Sequence, residues 1–241
     1  MIEKPNLLRV NEYRINDKIS VHVPSVAEIF DYGDQKYYSM VQNLISTPFD
    51  LMVELDDIGI DYEKITDYQL FLLMIESIAR EKDTSILFGD LNLLNFCEAK
   101  NTKTDEIVLW DKKNNIVIDR AIGLEICNAI RRMHLWNAPS GRAGNAEAKS
   151  YLIERNRIKK QRLAKKPYKS FLENMVVSLV NTEEFPYNYE TVMGINIFKL
   201  NSSWKQIQRK KHWEQTMNGV FFGTVDISKI DFEKISWLTP D

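Results

Sequence analysis

The stretch Thr66-Asp67-Tyr68-Gln69-Leu70-Phe71-Leu72-Leu73-Met74-Ile75-Glu76-Ser77-Ile78 is the most hydrophobic of the chain. Thr66 and Asp67 supply a helix start. Tyr68, Phe71, Leu72, Ile75 and Ile78 then share one face, while Leu70, Leu73 and Met74 cover much of the rest. A helix apolar over so much of its circumference belongs inside a domain, so the segment is expected to form the core of the N-terminal region. A chain of 241 residues, 44% hydrophobic and 11% aromatic, can bury a sizeable core around it, as one large domain or two small ones.

Upstream, Tyr13 and Ile15 alternate on one side of Asn16-Asp17-Lys18, and Ile19, Val21 and Val23 on the other, the pattern of a β-hairpin. Pro24 stops the second strand. Ser25 with Glu28 three residues later is a capping box. The helix it opens is interrupted near Gly33 and resumes through Tyr37, Tyr38, Val41, Leu44 and Ile45. Thr47-Pro48-Phe49-Asp50 reads as a further helix start, running to about Asp57.

Downstream, residues 85–99 suggest short strands or a compact loop. Ile107 to Trp110 face Ile116 to Ile118 across a polar turn as a second hairpin. Asp119 can cap a helix carrying Ile122, Ile126, Ala129, Ile130 and Met133 on one side, and His134 is expected at its boundary. The loop from Trp136 to Gly144 precedes a basic helix beginning near Asn145. Phe171, Leu172, Met175, Val176, Leu179 and Val180 mark an amphipathic helix, and Asn201 or Ser202 can cap a last long one ending at Asn218-Gly219. The class is α+β, predominantly helical. Residues 1–135 form a mixed N-terminal region, 136–170 the loop and a projecting basic helix, and 171–241 a helical C-terminal region.

Between Arg131 and Lys169 stand twelve bases and two acids, a net +10, whereas the whole chain carries −2. Everything outside this segment therefore sums to −12, and a basic arm is carried on an acidic body. Its helix has only a thin apolar stripe, chiefly Tyr151, Leu152 and Ile158, so little of it can dock on a core. Arg155, Arg157, Lys159, Lys160, Arg162, Lys165 and Lys166 follow one another without an acid between them, and these are the candidate partner-binding residues. A solvated polar face, a phosphate-binding helix and a docking element for an acidic protein partner all compete for them. The protein partner, including another copy of this chain, is preferred, because no helix-turn-helix, RNP or zinc-finger pattern accompanies the charge.

Signatures of catalysis are absent from the sequence: there is no phosphate-binding loop, dinucleotide fingerprint, G-x-S-x-G or H-E-x-x-H. His22, His134 and His212 lie far apart, so neither metal nor cofactor is expected. The acidic run Glu54 to Asp61 resembles a calcium loop only in part, lacking the alternating ligands and the twelfth-position Glu; a helix end followed by a solvated turn is preferred. Cys97 and Cys127 lie in apolar surroundings without C-x-x-C spacing and are expected as buried thiols. The polar opening Met1 to Asn6 has no apolar segment behind it and no run is long enough to span a bilayer, so a soluble intracellular protein is expected.

Two stretches resemble known families. Arg9-Val10-Asn11-Glu12-Tyr13-Arg14-Ile15, Ile19 to Val23 and Pro24-Ser25-Val26-Ala27-Glu28-Ile29 resemble the hairpin-then-helix start of bacteriophage tail-assembly and baseplate-hub assembly proteins. Leu179 to Glu183 and Tyr189 to Val192 resemble the later part of prophage proteins encoded among tail genes. The resemblance implies a non-enzymatic assembly factor, chaperone or minor structural component that binds other tail or baseplate proteins, in the host cytoplasm during virion assembly or in the tail itself. It supplies no catalytic residues. The alternative is an accessory protein that binds nucleic acid through the basic helix.

Overall fold

The structure, a computed structural model, describes residues 5–102 and 104–239; the polar opening from Met1 to Lys4 falls outside them. It is 54% helical with two small antiparallel sheets, the α+β, predominantly helical class expected from the sequence.

β1 (Glu12–Arg14) and β2 (Ser20–His22) pair with Tyr13 opposite Val21. Their turn is held by Asn16, whose Oδ1 accepts from the backbone amides of Lys18 and Ile19, both at 2.8 Å. The Ser25/Glu28 capping box opens α1 (Val26–Tyr32). Gly33, at φ 93°, then breaks the path before α2 (Asp34–Ile45), a conformation that costs a residue without Cβ least. The helix expected from Pro48 begins only at Met52. The Asp50 carboxylate accepts from the Thr47 amide at 2.9 Å and closes a separate turn, leaving α3 short (Met52–Asp57). Thr66 and Gln69 cap α4 (Asp67–Glu81) reciprocally, and six of its side chains are buried.

The region after α4 holds a short helix α5 (Ser85–Phe88) and the strand β3 (Cys97–Lys100). β3 joins β4 (Ile107–Asp111) and β5 (Ile116–Ile118) in the order β3-β4-β5, so the expected central hairpin is two strands of a three-stranded sheet. Three of the four residues of edge strand β3 are exposed, a pattern that gives little apolar signal. Cys97 lies on it and is exposed, which corrects the expectation of two buried thiols. Cys127 is buried, and desolvation pushes its thiol up to about 11.

α6 (Arg120–His134), capped by Asp119, is the axis of the core. Ile126, Ala129, Ile130 and Met133 are at most 1% exposed, and the helix packs on α2, α4, β2 and β5. Gly123 permits the closest approach: a methyl group there would sit 3.0 Å from Phe71 Cε1 and 3.1 Å from Tyr68 Cε2. The Tyr68 hydroxyl reaches past it to donate to the carbonyls of Ile107 and Ile118, at 3.0 and 3.2 Å, which ties helix layer to sheet.

His134 is no boundary residue. It is 3% exposed, hydrogen-bonded to the Tyr37 hydroxyl at 2.9 Å and stacked on Trp136. Burial lowers its pKa from 6.5 to about 3. The aromatic neighbours Tyr37 and Tyr38 stand 97 and 96 residues upstream of His134, too far to be read from local sequence.

α7 (Ala146–Ala164) and α8 (Phe171–Val180) follow. Leu172, Met175, Val176 and Leu179 enter the same core as α6, whereas Phe171 points outward. The last long helix, α9 (Ile197–Phe221), is capped by Asn196 rather than Asn201 or Ser202, and it continues past Gly219. Asn196 is 2% exposed and has a double task. Its Oδ1 accepts from the Lys199 amide at 2.9 Å, while its Nδ2 donates to Leu7 O at 3.2 Å and Asn11 Oδ1 at 2.9 Å. α9 packs on α6, and α10 (Phe232–Ile235) folds back against it, with Arg209 donating to the carbonyls of Ser236 and Thr239 at 2.7 Å. Among the described residues no helix is long and apolar enough to cross a membrane.

Candidate partner-binding face

α7 is placed by three attachments. Asn145 caps its start by accepting from the Ala148 amide at 2.8 Å. Ahead of it, the Glu63 carboxylate accepts from the Ala143 amide at 2.8 Å. Beyond its end, Tyr168 and Ser170 both donate to the Asp34 carboxylate, the former at 2.8 Å. Between these points the helix lies along α3. The apolar anchor is as thin as the sequence implies but only partly the same: of the three residues expected, Leu152 packs on it. Ile153 is buried with Met52, Val53, Leu55, Tyr62 and Leu70 in a cluster of its own, whereas Tyr151 and Ile158 are exposed. A 3.6-residue period places Ile153 about 160° from Tyr151.

Ion pairs supply the rest of the contact. The Lys149 ammonium sits between the carboxylates of Asp61 and Glu63, the latter at 3.3 Å, and 5.0 Å above the centre of the Tyr62 ring. Arg157 meets Asp56 at 3.0 Å, Asp57 at 2.6 Å and Glu154 at 3.1 Å. Lys160 meets Glu54. The charges adjust to one another. The Lys149 hydrogen bond lowers the Asp61 pKa, and the Asp61 hydrogen bond raises that of Lys149. Glu63 is lowered first by the Ala143 amide and then by Lys149. Hydrogen bonds to Asp56, Asp57 and Glu154 raise the Arg157 pKa still further above its ordinary value. The acidic run is therefore more than a solvated helix end: its carboxylates are the counter-charges of α7.

The seven candidate residues thus divide. Arg157 and Lys160 face inward and bind the chain's own carboxylates. Arg155, Lys159, Arg162, Lys165 and Lys166 are exposed, and their side chains make no ion pair or hydrogen bond among the described residues. Exposed Tyr151, Ile158 and Leu163 stand among them. With Phe49 from the preceding turn, this face borders a shallow groove of about 770 Å³. Sequence reasoning missed Lys149, Ile153 and the acidic partners. A helical-phase reading of α7 separates the faces and would have found the first two. Two further bases of the segment are structural. Arg131 is 9% exposed and donates to the Ile45 carbonyl at the end of α2, and Arg132 lies 5.8 Å from the centre of the Tyr13 ring.

Elsewhere, a cavity of about 300 Å³ between α4 and β3 includes Glu76, Arg80, Cys97 and Glu98, with Glu76 engaged by Arg80 at 2.5 Å. Among the described residues no three of His, Cys, Asp and Glu gather to hold a metal ion.

The fold and this face describe a helix-dominated α+β protein with a basic helix surface whose exposed bases make no ion pair among the described residues. Residues 164–240 match the family model of the YomV second domain, which links this part of the chain to a phage-derived protein family. The match starts at the last residue of α7, so Lys165 and Lys166 alone of the candidate residues lie within it. It contains the Leu179 to Val192 stretch; the N-terminal hairpin and helix lie outside it. Comparisons with curated proteins and with solved structures give no match.

Proposed function

We propose that the chain is a non-enzymatic phage protein that assists tail or baseplate assembly, or forms a minor part of the tail, by binding another tail protein through the outward face of α7. The observation that carries this reading is the partition of one helix. Its inward bases are matched by carboxylates, and its outward bases have none among the described residues. Helix surfaces that only need solvation normally mix both signs, and an unbalanced strip beside exposed apolar side chains suits a protein contact with electrostatic steering. The match to a phage-derived family supports the setting.

The test is a prophage carrying Arg155→Glu, Lys159→Glu, Arg162→Glu and Lys166→Glu together. Infectious particle yield falls and tail-less or incomplete particles accumulate, while circular dichroism of the purified variant stays that of the parent. Unchanged yield with an intact fold would sink the reading. A second reading, nucleic-acid binding, is favoured by the same four bases, which like Lys165 have no ion pair among the described residues, and by Tyr151 beside them. It requires affinity to fall with salt at a log–log slope of about −3 to −4 for four phosphate contacts.

A further inference from the structure

The two faces of α7 repeat one spacing. Inward stand Lys149, Ile153, Asn156, Arg157 and Lys160; outward stand Tyr151, Arg155, Ile158, Lys159 and Arg162. Both sets advance by four, three, one and three residues. The two-residue offset turns one set about 200° from the other, so the helix presents similar mixtures of bases and apolar side chains to opposite sides. The inward occupant is known: α3, a short helix with Met52, Val53 and Leu55 buried and Glu54, Asp56 and Asp57 toward the bases. The molecule thus contains a worked example of what covers such a face.

We infer that the outward face takes a second acidic amphipathic helix, supplied by the partner protein, docked on α7 as α3 is docked on the other side. This rests on the protein-binding reading above and names the partner's chemistry. Carboxylates of that helix meet Arg155, Lys159, Arg162 and Lys166, and its aliphatic side covers Ile158 and Leu163, which are 41% and 53% exposed. These two side chains decide between ligand classes. Phosphates answer the bases but leave both aliphatic groups in water, whereas an amphipathic helix removes them from it. On a 3.6-residue period Ile158 and Leu163 stand about 140° apart with the bases between them, so apolar contacts border the charged strip on both sides, as an amphipathic helix requires.

The test uses the full chain and a labelled peptide copying its own residues 49–64, followed by fluorescence anisotropy at low and high salt. The inward face is already covered by tethered α3, whose effective concentration is on the order of millimolar, so a micromolar peptide reports the outward face. The peptide binds, and binds more weakly in high salt. Ile158→Asp lowers its affinity by about tenfold or more, the loss expected of a central anchor, and Arg155→Glu with Arg162→Glu does the same, while circular dichroism shows α7 intact in both. A glutamate homopeptide of equal length or a 15-nucleotide single strand that binds as tightly as the peptide overturns the inference, as does an Ile158→Asp variant with unchanged affinity. If the peptide fails while the fourfold reversal still cuts particle yield, the partner's chemistry is wrong and the binding role stands. If yield is also unaffected, the role itself falls.

Discussion

The inward and outward faces of α7 differ little in composition and entirely in circumstance. Lys149, Arg157 and Lys160 each find carboxylates contributed by residues 54–63. Arg155, Lys159 and Arg162, one or two residues away along the same helix, and Lys165 and Lys166 just past its end, find none among the described residues. A basic run on a helix is thus two surfaces, split by helical phase, and only one of them is free to meet another molecule. A net +10 over the segment overstates what is available to a partner, because part of it holds the helix to its own acidic neighbour.

The comparison depends first on a fixed root for the segment, and the largest effect is expected there. His134 is buried and neutral, with its pKa depressed to about 3 in the fold. Below pH 6.5 the unfolded chain binds this proton and the folded one does not. Stability is therefore lost as pH falls from 6.5 toward 3, by up to about 1.4 kcal/mol per pH unit. Denaturant unfolding at pH 7 and pH 4.5 measures this, and His134→Gln should flatten the difference.

An effect of similar size separates the faces directly. Ile153→Ala removes the buried anchor and is expected to cost about 2–4 kcal/mol, whereas Ile158→Ala, on the exposed face, should stay within about 0.5 kcal/mol. Equal losses in denaturant melts would mean that α7 has no inward side. Smaller than either is the acid response of the ion pairs. Asp61 and Glu63 have lowered pKa values, so their contribution is present above the ordinary carboxylate range and disappears as pH falls through the lowered values. Protection of the α7 amides from hydrogen exchange should decline below about pH 4 and also with added salt.

Much of the fold is legible in the sequence, since its signals are local. The hairpin turn at Asn16, the capping boxes at Ser25 and Thr66, the Asp119 cap and the apolar face of α6 are each written within a few residues. What escapes reading depends on distant partners. β3 becomes a strand by pairing with β4, although little of it is buried. Asn196 displaces Asn201 as a cap because its amide nitrogen also binds the backbone near Leu7. His134 is buried by rings on α2. For the site, the bases themselves are plain, but their division is set by α3: nothing within residues 146–164 says that the residues around Glu54 to Glu63 lie against one side of them.

The most direct measurement is thermal unfolding of Arg155→Glu and Arg157→Glu side by side in low salt. Single surface ion pairs contribute little, but reversal at 157 places a fourth carboxylate against Asp56, Asp57 and Glu154. The Arg157→Glu variant should melt below the parent, with the gap narrowing in high salt, while Arg155→Glu melts with the parent. Equal shifts for both, or a loss confined to Arg155→Glu, would contradict the assignment of one face to the fold and the other to a partner.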